Sequence, residues 1–160
     1  MTHLWFSKKA QAGVGLIEVL VAVLVLSIGF LGIAALQARS LSTSNSALAR
    51  SMATVATYSI LDAMRADLTN AVAGNYNKTV TANACSSVTA GNTLATNQLT
   101  QWCTTELAPL GGTASTTGNI NCAAAAGTNS AYCTITIQFD DSRAGLSGSA
   151  AQQVVTQAML

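Results

Sequence analysis

Charged side chains are scarce in this chain: they make up 8% of its 160 residues, against roughly 25% in an ordinary soluble domain. Large apolar residues do not fill the gap, because the hydrophobic fraction is an ordinary 50%. Ala, Thr, Ser, Asn and Gly fill it, mostly in the second half. The net charge of +1 argues against a nucleic-acid-coating protein or a polybasic membrane binder. There is one Pro, there are eight aromatics, and there is a single His. That residue, His3, stands too near the start for a typical active site. A Ser-His-Asp or Cys-His catalyst therefore has no base, and histidine-rich zinc sites are excluded. No carboxylate pair sits in a plausible pocket either. The chain reads as a non-enzyme of about one domain's length, with no cofactor expected.

What it has is a concentrated apolar run. Val19 to Leu36 reads VLVAVLVLSIGFLGIAAL, without a charge and with Ser27 as the only strongly polar side chain. A bilayer core takes about 20 mainly apolar helical residues, and extending back to Val14 supplies them. Lys8 and Lys9 precede the run, and no comparable pair follows it. The positive-inside rule then keeps the N-terminus cytoplasmic and puts the rest outside. A cleaved secretory signal is the competing reading, but its apolar region runs only ~7–15 residues before a small-x-small site. Gly32-Ile33-Ala34 has that form, and the run before it is too long.

Glu18 is out of place, one step before this run. A carboxylate at bilayer depth costs a few kcal/mol and by default marks a function with a partner to be named. At the headgroup boundary the penalty is smaller. The surrounding residues decide between these readings: a short basic leader, Gly13, a hydrophobic Val14, Glu18 at the fifth position from there, and an apolar helix. This pattern resembles the type IV prepilin signature. The run GVGLIEVLVAVLVLSIGFLGIAALQ is most similar to the PilV-type minor pilins, and Arg50-Ser51 and Asp62-Ala63-Met64-Arg65-Ala66 fit as well. The resemblance covers about residues 8–68.

The resemblance implies a leader, residues 1–13, cut by prepilin peptidase between Gly13 and Val14, with N-methylation at Val14. Cutting ahead of the apolar run keeps residues 14–36 as the membrane and filament-core helix. Glu18 then neutralises the new Val14 amine of a neighbouring subunit, in a salt bridge that sets axial register. The implied partners are prepilin peptidase, other minor pilins, the major pilin, the inner-membrane assembly platform and a tip adhesin. The implied location is the inner membrane, single pass with a periplasmic head, and then the pilus at the cell surface. Two departures stand out. Val14 replaces the family's usual Phe, and Ala35 stands where major pilins carry a helix-breaking Pro, leaving Gly29 and Gly32 as weak points.

Beyond the span no Gly or Pro interrupts Ala34 to Ala73. Leu41, Leu48, Met52 and Val55 form one helical stripe, and Leu61, Met64 and Leu68 lie nearly opposite. A helix that changes its buried face in this way suits a shaft below and a head above. At 1.5 Å per residue, Val14 to Leu68 extends roughly 80 Å. Asp62 and Arg65 are spaced for a weak surface pair. The fold class expected is α+β and pilin-like: a long N-terminal helix, with residues 37–69 its periplasmic continuation, packed on a small antiparallel sheet in a head of residues 70–160.

Within that head, Gly74-Asn75-Tyr76-Asn77 ends the helix and Lys78–Ala82 is a short extended segment. Thr93–Leu107 forms a second helix with Trp102 as a core anchor, stopped by Pro109-Leu110-Gly111-Gly112. Residues 113–131 read as loop. Tyr132–Phe139 alternates with Cys133, Ile135, Ile137 and Phe139 on one face, and Gln152–Leu160 is a closing strand. Asp140 and Asp141 are adjacent carboxylates in a turn that lacks the oxygen-rich loop of a calcium site. Asn77-Lys78-Thr79 matches a glycosylation sequon by a pattern too short to carry weight.

Cys85, Cys103, Cys122 and Cys133 all lie in the head and none is in a CxxC. Their even number, in the exported part, implies two disulfides in an oxidising compartment. Three pairings are possible, and the compact loops favour Cys85–Cys103 with Cys122–Cys133. Among functions, a structural minor pilin that primes assembly and supports adhesion and twitching motility fits best. A minor pseudopilin of a type II secretion system shares the leader, Glu18 and the helix, but Asp62–Arg65 and the four-cysteine head favour the pilus. A DNA receptor needs a basic stripe, and the head offers only Lys78 and Arg143 against Glu106, Asp140 and Asp141.

Overall fold

A computed structural model describes residue 13 and residues 15–160, leaving aside the side chains of residues 145–147. The leader residues 1–12, with Lys8 and Lys9, and Val14 lie outside the described residues. The chain divides into two units, one ending at Arg39 and one from Ser40 to Leu160.

Helix α1 runs from Leu16 to Ala66 and passes through Gly29 and Gly32 unbroken. In the unit ending at Arg39 every described residue is exposed. The part of α1 that belongs to the second unit has a buried face of Ala53, Ala56, Thr57, Ile60, Leu61 and Met64. Leu41, Leu48 and Val55 are exposed, so the two stripes read from the periodicity have different surroundings. The helix breaks at Asp67, whose φ of −125° and ψ of 49° are not helical. Its carboxylate accepts from Asn70 Nδ2 at 2.7 Å and Tyr76 Oη at 2.9 Å. A short helix α2, Leu68–Val72, resumes and ends at Gly74, whose φ of 77° is the left-handed conformation that favours glycine at such a stop.

Four strands follow: β1 (Lys78–Thr81), β2 (Thr117–Ala124), β3 (Ala131–Phe139) and β4 (Gln152–Met159). They form one antiparallel sheet in the order β1-β2-β3-β4. Helix α3, Thr93–Trp102, lies between β1 and β2 in sequence. Asn92 caps it, accepting from Ala95 N at 2.7 Å. A π-helical turn at Cys103–Leu107 and a 3-10 turn at Ala108–Leu110 continue α3 to Gly111. The expected α+β, pilin-like arrangement is thus present: a long N-terminal helix packed on a small four-stranded antiparallel sheet.

Strand β2 corrects the expected loop over residues 113–131. Its inward positions are Gly118, Ile120 and Cys122, alternating with exposed Asn119 and Asn121. Gly and Asn, three of those five residues, are depleted in strands, so the strand is specified largely by what packs on it. A Cβ at Gly118 would run into the Trp102 ring. Trp102 is 3% exposed, and its indole N–H donates to the Ala56 carbonyl at 2.8 Å, tying α3, β2 and α1 together. The core is completed by Val80, Leu99, Leu107, Ile135, Ile137 and Phe139.

The disulfides are Cys85–Cys103 and Cys122–Cys133. The second joins directly opposed residues of β2 and β3. Asn77 explains why that position suits a bridge. Its side chain donates to the Cys122 carbonyl at 2.9 Å and accepts from Cys122 N at 2.7 Å. The backbone groups of Cys122 therefore face β1, and Cys122 and Cys133 form a non-hydrogen-bonded pair, where opposed Cα atoms approach closest.

Candidate assembly site

The N-terminal part of α1 concentrates what the chain leaves unsatisfied. Leu16, Ile17, Val19, Leu20 and the apolar residues up to Leu36 are exposed, and an apolar surface of this extent marks an interaction with lipid or protein. The helix is long and apolar enough to cross a membrane, with a mean hydropathy of 2.9 in its most apolar stretch and none of that stretch buried. Its polar groups are settled locally. Ser27 Oγ donates to the Val23 carbonyl at 2.7 Å, so the one hydroxyl in the run needs no water. The N-terminal turn closes with Glu18 N–H on the Gly15 carbonyl at 2.9 Å.

Glu18 lies in the first turn of α1, where the unpaired N–H groups of the helix favour a negative charge. Its neighbours along the helix face are Val19, Ala22, Val23 and Leu26. Among the described residues the ion pairs are Arg50–Asp141 and Arg65–Asp62, and Glu18 has no cationic partner. Gly13 is exposed. Val14, named above with Gly13 as the cleavage pair and as the methylated residue, lies outside the described residues. The geometry therefore presents an acid at the start of an exposed apolar helical stretch.

The second unit holds a polar cluster that sequence reading passed over. Asp141 is 6% exposed and accepts from Ser46 Oγ at 2.6 Å and from Arg50 at 3.3 Å. Arg50 also donates to Gln152 Oε1 at 3.3 Å, and Ser42 Oγ donates to the Arg143 carbonyl. These contacts pin the segment after β3 to α1. Ser42, Ser46 and Arg50 recur every four residues on one helical face, and that spacing was the available signal. Asp140, beside the cluster, points elsewhere. It accepts from Ser142 N at 2.8 Å, and this bond holds its carboxyl below the usual range. Tyr76 is raised above its ordinary value, by burial first and then by the carboxylate of Asp67. Among the described residues no group of His, Cys, Asp and Glu is placed to hold a metal.

Residues 8–34 match the family model described as the prokaryotic N-terminal methylation motif. No curated protein and no solved structure matches the chain. The matched segment takes in Lys8, Lys9, Gly13, Val14, Glu18 and most of the exposed apolar run. The motif supports a type IV pilin or pseudopilin, a structural protein that is a substrate of prepilin peptidase and has assembly partners in a pilus or pseudopilus.

Proposed function

We propose that the chain is a structural minor pilin of a type IV pilus. Prepilin peptidase cuts between Gly13 and Val14, and Val14 is N-methylated. Residues 14–36 hold the subunit in the inner membrane, then in the filament core; residues 37–69 carry the helix onward, and residues 70–160 form the disulfide-bonded periplasmic head. Assembly with other minor pilins and the major pilin on the inner-membrane platform initiates the fibre. A tip adhesin and the surface-displayed head then support adhesion and twitching.

The observation that carries this reading is the pairing of a wholly exposed apolar stretch of helix with Glu18 at its start, without a cation among the described residues. Processing creates an α-amine at Val14, four residues before Glu18. In a staggered bundle the Glu18 of one subunit meets the Val14 amine of the next. Removing one member of a buried pair typically costs about 3–5 kcal/mol, because the other charge is left uncompensated. The same pair fixes register. The disulfides of the head and the Arg65–Asp62 pair at 2.7 Å favour the pilus over the pseudopilus.

Intact-mass spectrometry of the protein expressed with and without prepilin peptidase tests the reading. The expected product begins at Val14, carries one added methyl, and gains four hydrogens on reduction of its two disulfides. A chain left uncut, or cut after Ala34, overturns it. Glu18→Val is then expected to be processed normally yet to be lost from sheared surface fibres. Recovery of the wild type only from the cell envelope, and never from such fibres, would return the assignment to a secretion pseudopilus.

A further inference from the structure

The two edges of the sheet differ in how they are guarded. An unguarded edge is a row of free N–H and C=O groups that pairs with any extended chain, and native proteins blunt it with short strands, Lys, Pro or bulges. Strand β1 is guarded: it has four residues and begins with Lys78, whose ammonium is held on Thr89 Oγ1 at 3.2 Å. Strand β4 has eight residues, QQVVTQAM, without a charge, a Pro or a Gly.

The register says which groups of β4 are free. Ala131 and Leu160 exchange both backbone bonds, at 3.0 and 2.9 Å. In an antiparallel ladder such pairs alternate, so Gln152, Val154, Thr156 and Ala158 also face β3. Gln153, Val155, Gln157 and Met159 therefore present their N–H and C=O groups outward. The Gln153 carbonyl accepts from Gln152 Nε2 at 3.3 Å; among the described residues the others have no partner. The outer face beside this edge carries exposed Tyr132, Val155 and Met159, with Thr and Gln between them and no charge on β3 or β4.

We propose that the open edge of β4 is a docking site for an extended, uncharged strand of a different protein subunit, which extends the sheet to five strands. A β edge is complementary only to another strand, and main-chain bonds supply affinity while alternate side chains supply specificity. Here the added strand's outward side chains would lie beside Gln153, Val155, Gln157 and Met159, a row that rewards apolar or amide groups and penalises an unpaired charge.

A second copy of the chain fits this edge poorly. Pairing β4 with β1 of another copy covers only four of its eight residues. Pairing β4 with β4 places a dyad perpendicular to the sheet, which reverses the copy's Ser40–Ala66 helix segment packed on it. Subunits anchored side by side have helices running the same way; this step rests on the filament reading above, and the free edge itself does not.

Amide hydrogen exchange on the full chain tests the proposal, comparing protein purified in detergent with protein in native envelopes and in sheared fibres. Edge pairing is expected to slow the amides of Gln153, Val155, Gln157 and Met159 by about tenfold or more in the assembled samples. The β1 edge should not change. Val155→Pro removes one outward N–H and leaves the bonds to β3 in place, so it should abolish the slowing while the head unfolds at its usual temperature. If Val155→Pro unfolds the head, Gln157→Lys serves instead, by charge. Fibres that contain the protein with these amides still fast would overturn the edge proposal and leave the filament reading standing. Slowing in envelopes from cells that build no fibre would do the reverse. Concentration-dependent slowing in the purified protein alone would make the occupant a second copy and overturn the choice of a different subunit.

Discussion

The two parts of α1 use apolar residues in opposite ways. In the unit ending at Arg39, Leu20, Leu24, Phe30 and Leu31 are all exposed. In the part that continues into the second unit, the residues buried to the last atom include Ala53, Ala56 and Thr57 alongside Leu61 and Met64. The larger side chains are thus outside and several of the smaller ones inside. Small residues let α1 approach the sheet and receive the Trp102 indole on the Ala56 carbonyl. Large ones on the free part offer area to whatever covers it, at about 25 cal/mol per Å² of apolar surface removed from water. Hydrophobicity alone therefore does not say where a residue of this helix packs; the neighbouring surface does.

One substitution made in both parts breaks or sharpens this contrast most strongly. Leu61→Ala, at a fully buried position, should lower the stability of the head by about 2–5 kcal/mol through lost burial and a residual cavity. Leu24→Ala, at an exposed one, should leave head unfolding within about 0.5 kcal/mol of wild type. Its cost should appear instead in the yield of assembled protein. Thermal unfolding followed by near-ultraviolet circular dichroism measures the first quantity. Equal destabilisation by the two variants would mean that the apolar run supports the head after all.

What was legible in the sequence divides along the same line. The apolar run and Glu18 are local features, complete within about twenty-five residues, and the match over residues 8–34 rests on those same residues. Strand β3 was legible because Cys133, Ile135, Ile137 and Phe139 alternate with polar residues, and Trp102 because the one tryptophan of an apolar-poor head lies within a helical segment. Strand β2 was not, because its inward row begins with Gly118, whose meaning lies in the ring of Trp102 above it. Asp141 was missed for a related reason. Its partner Ser46 is 95 residues away, and an Asp-Asp-Ser-Arg string reads as a turn until the helix that receives it is in place.

A smaller effect separates burial from charge within that cluster. Ser46 is buried and Arg50 is about half exposed, with 44% of its side chain accessible. Ser46→Ala removes the 2.6 Å bond to the buried Asp141 carboxylate, and leaving such a group short of a partner costs about 1–3 kcal/mol. Arg50→Ala removes a formal ion pair, but at this exposure solvent screening leaves about 0–1 kcal/mol. The neutral hydroxyl is thus expected to matter more than the guanidinium. Denaturant unfolding of both variants orders them. A larger loss from Arg50→Ala would show that the ion pair, and not the buried hydrogen bond, holds the segment after β3 on α1.

The smallest expected effect is alkaline and belongs to the helix break. Tyr76 is fully buried, its hydroxyl donates to Asp67 and lies against the Gln98 side-chain amide, and its ionisation is pushed up by burial and by the Asp67 carboxylate. The folded value lies above the unfolded one of about 10. The unfolded chain therefore releases this proton first as the pH rises. The contribution of Tyr76 to stability is complete below about pH 10 and is lost progressively above it, as the pH climbs toward the folded value. Phenolate absorbance should show that Tyr76 ionises only as the head unfolds. Tyr76→Phe should remove that alkaline loss of stability, while losing the hydrogen bond to Asp67 at neutral pH. If the variant kept the same alkaline slope, the proton lost on unfolding would belong to another group.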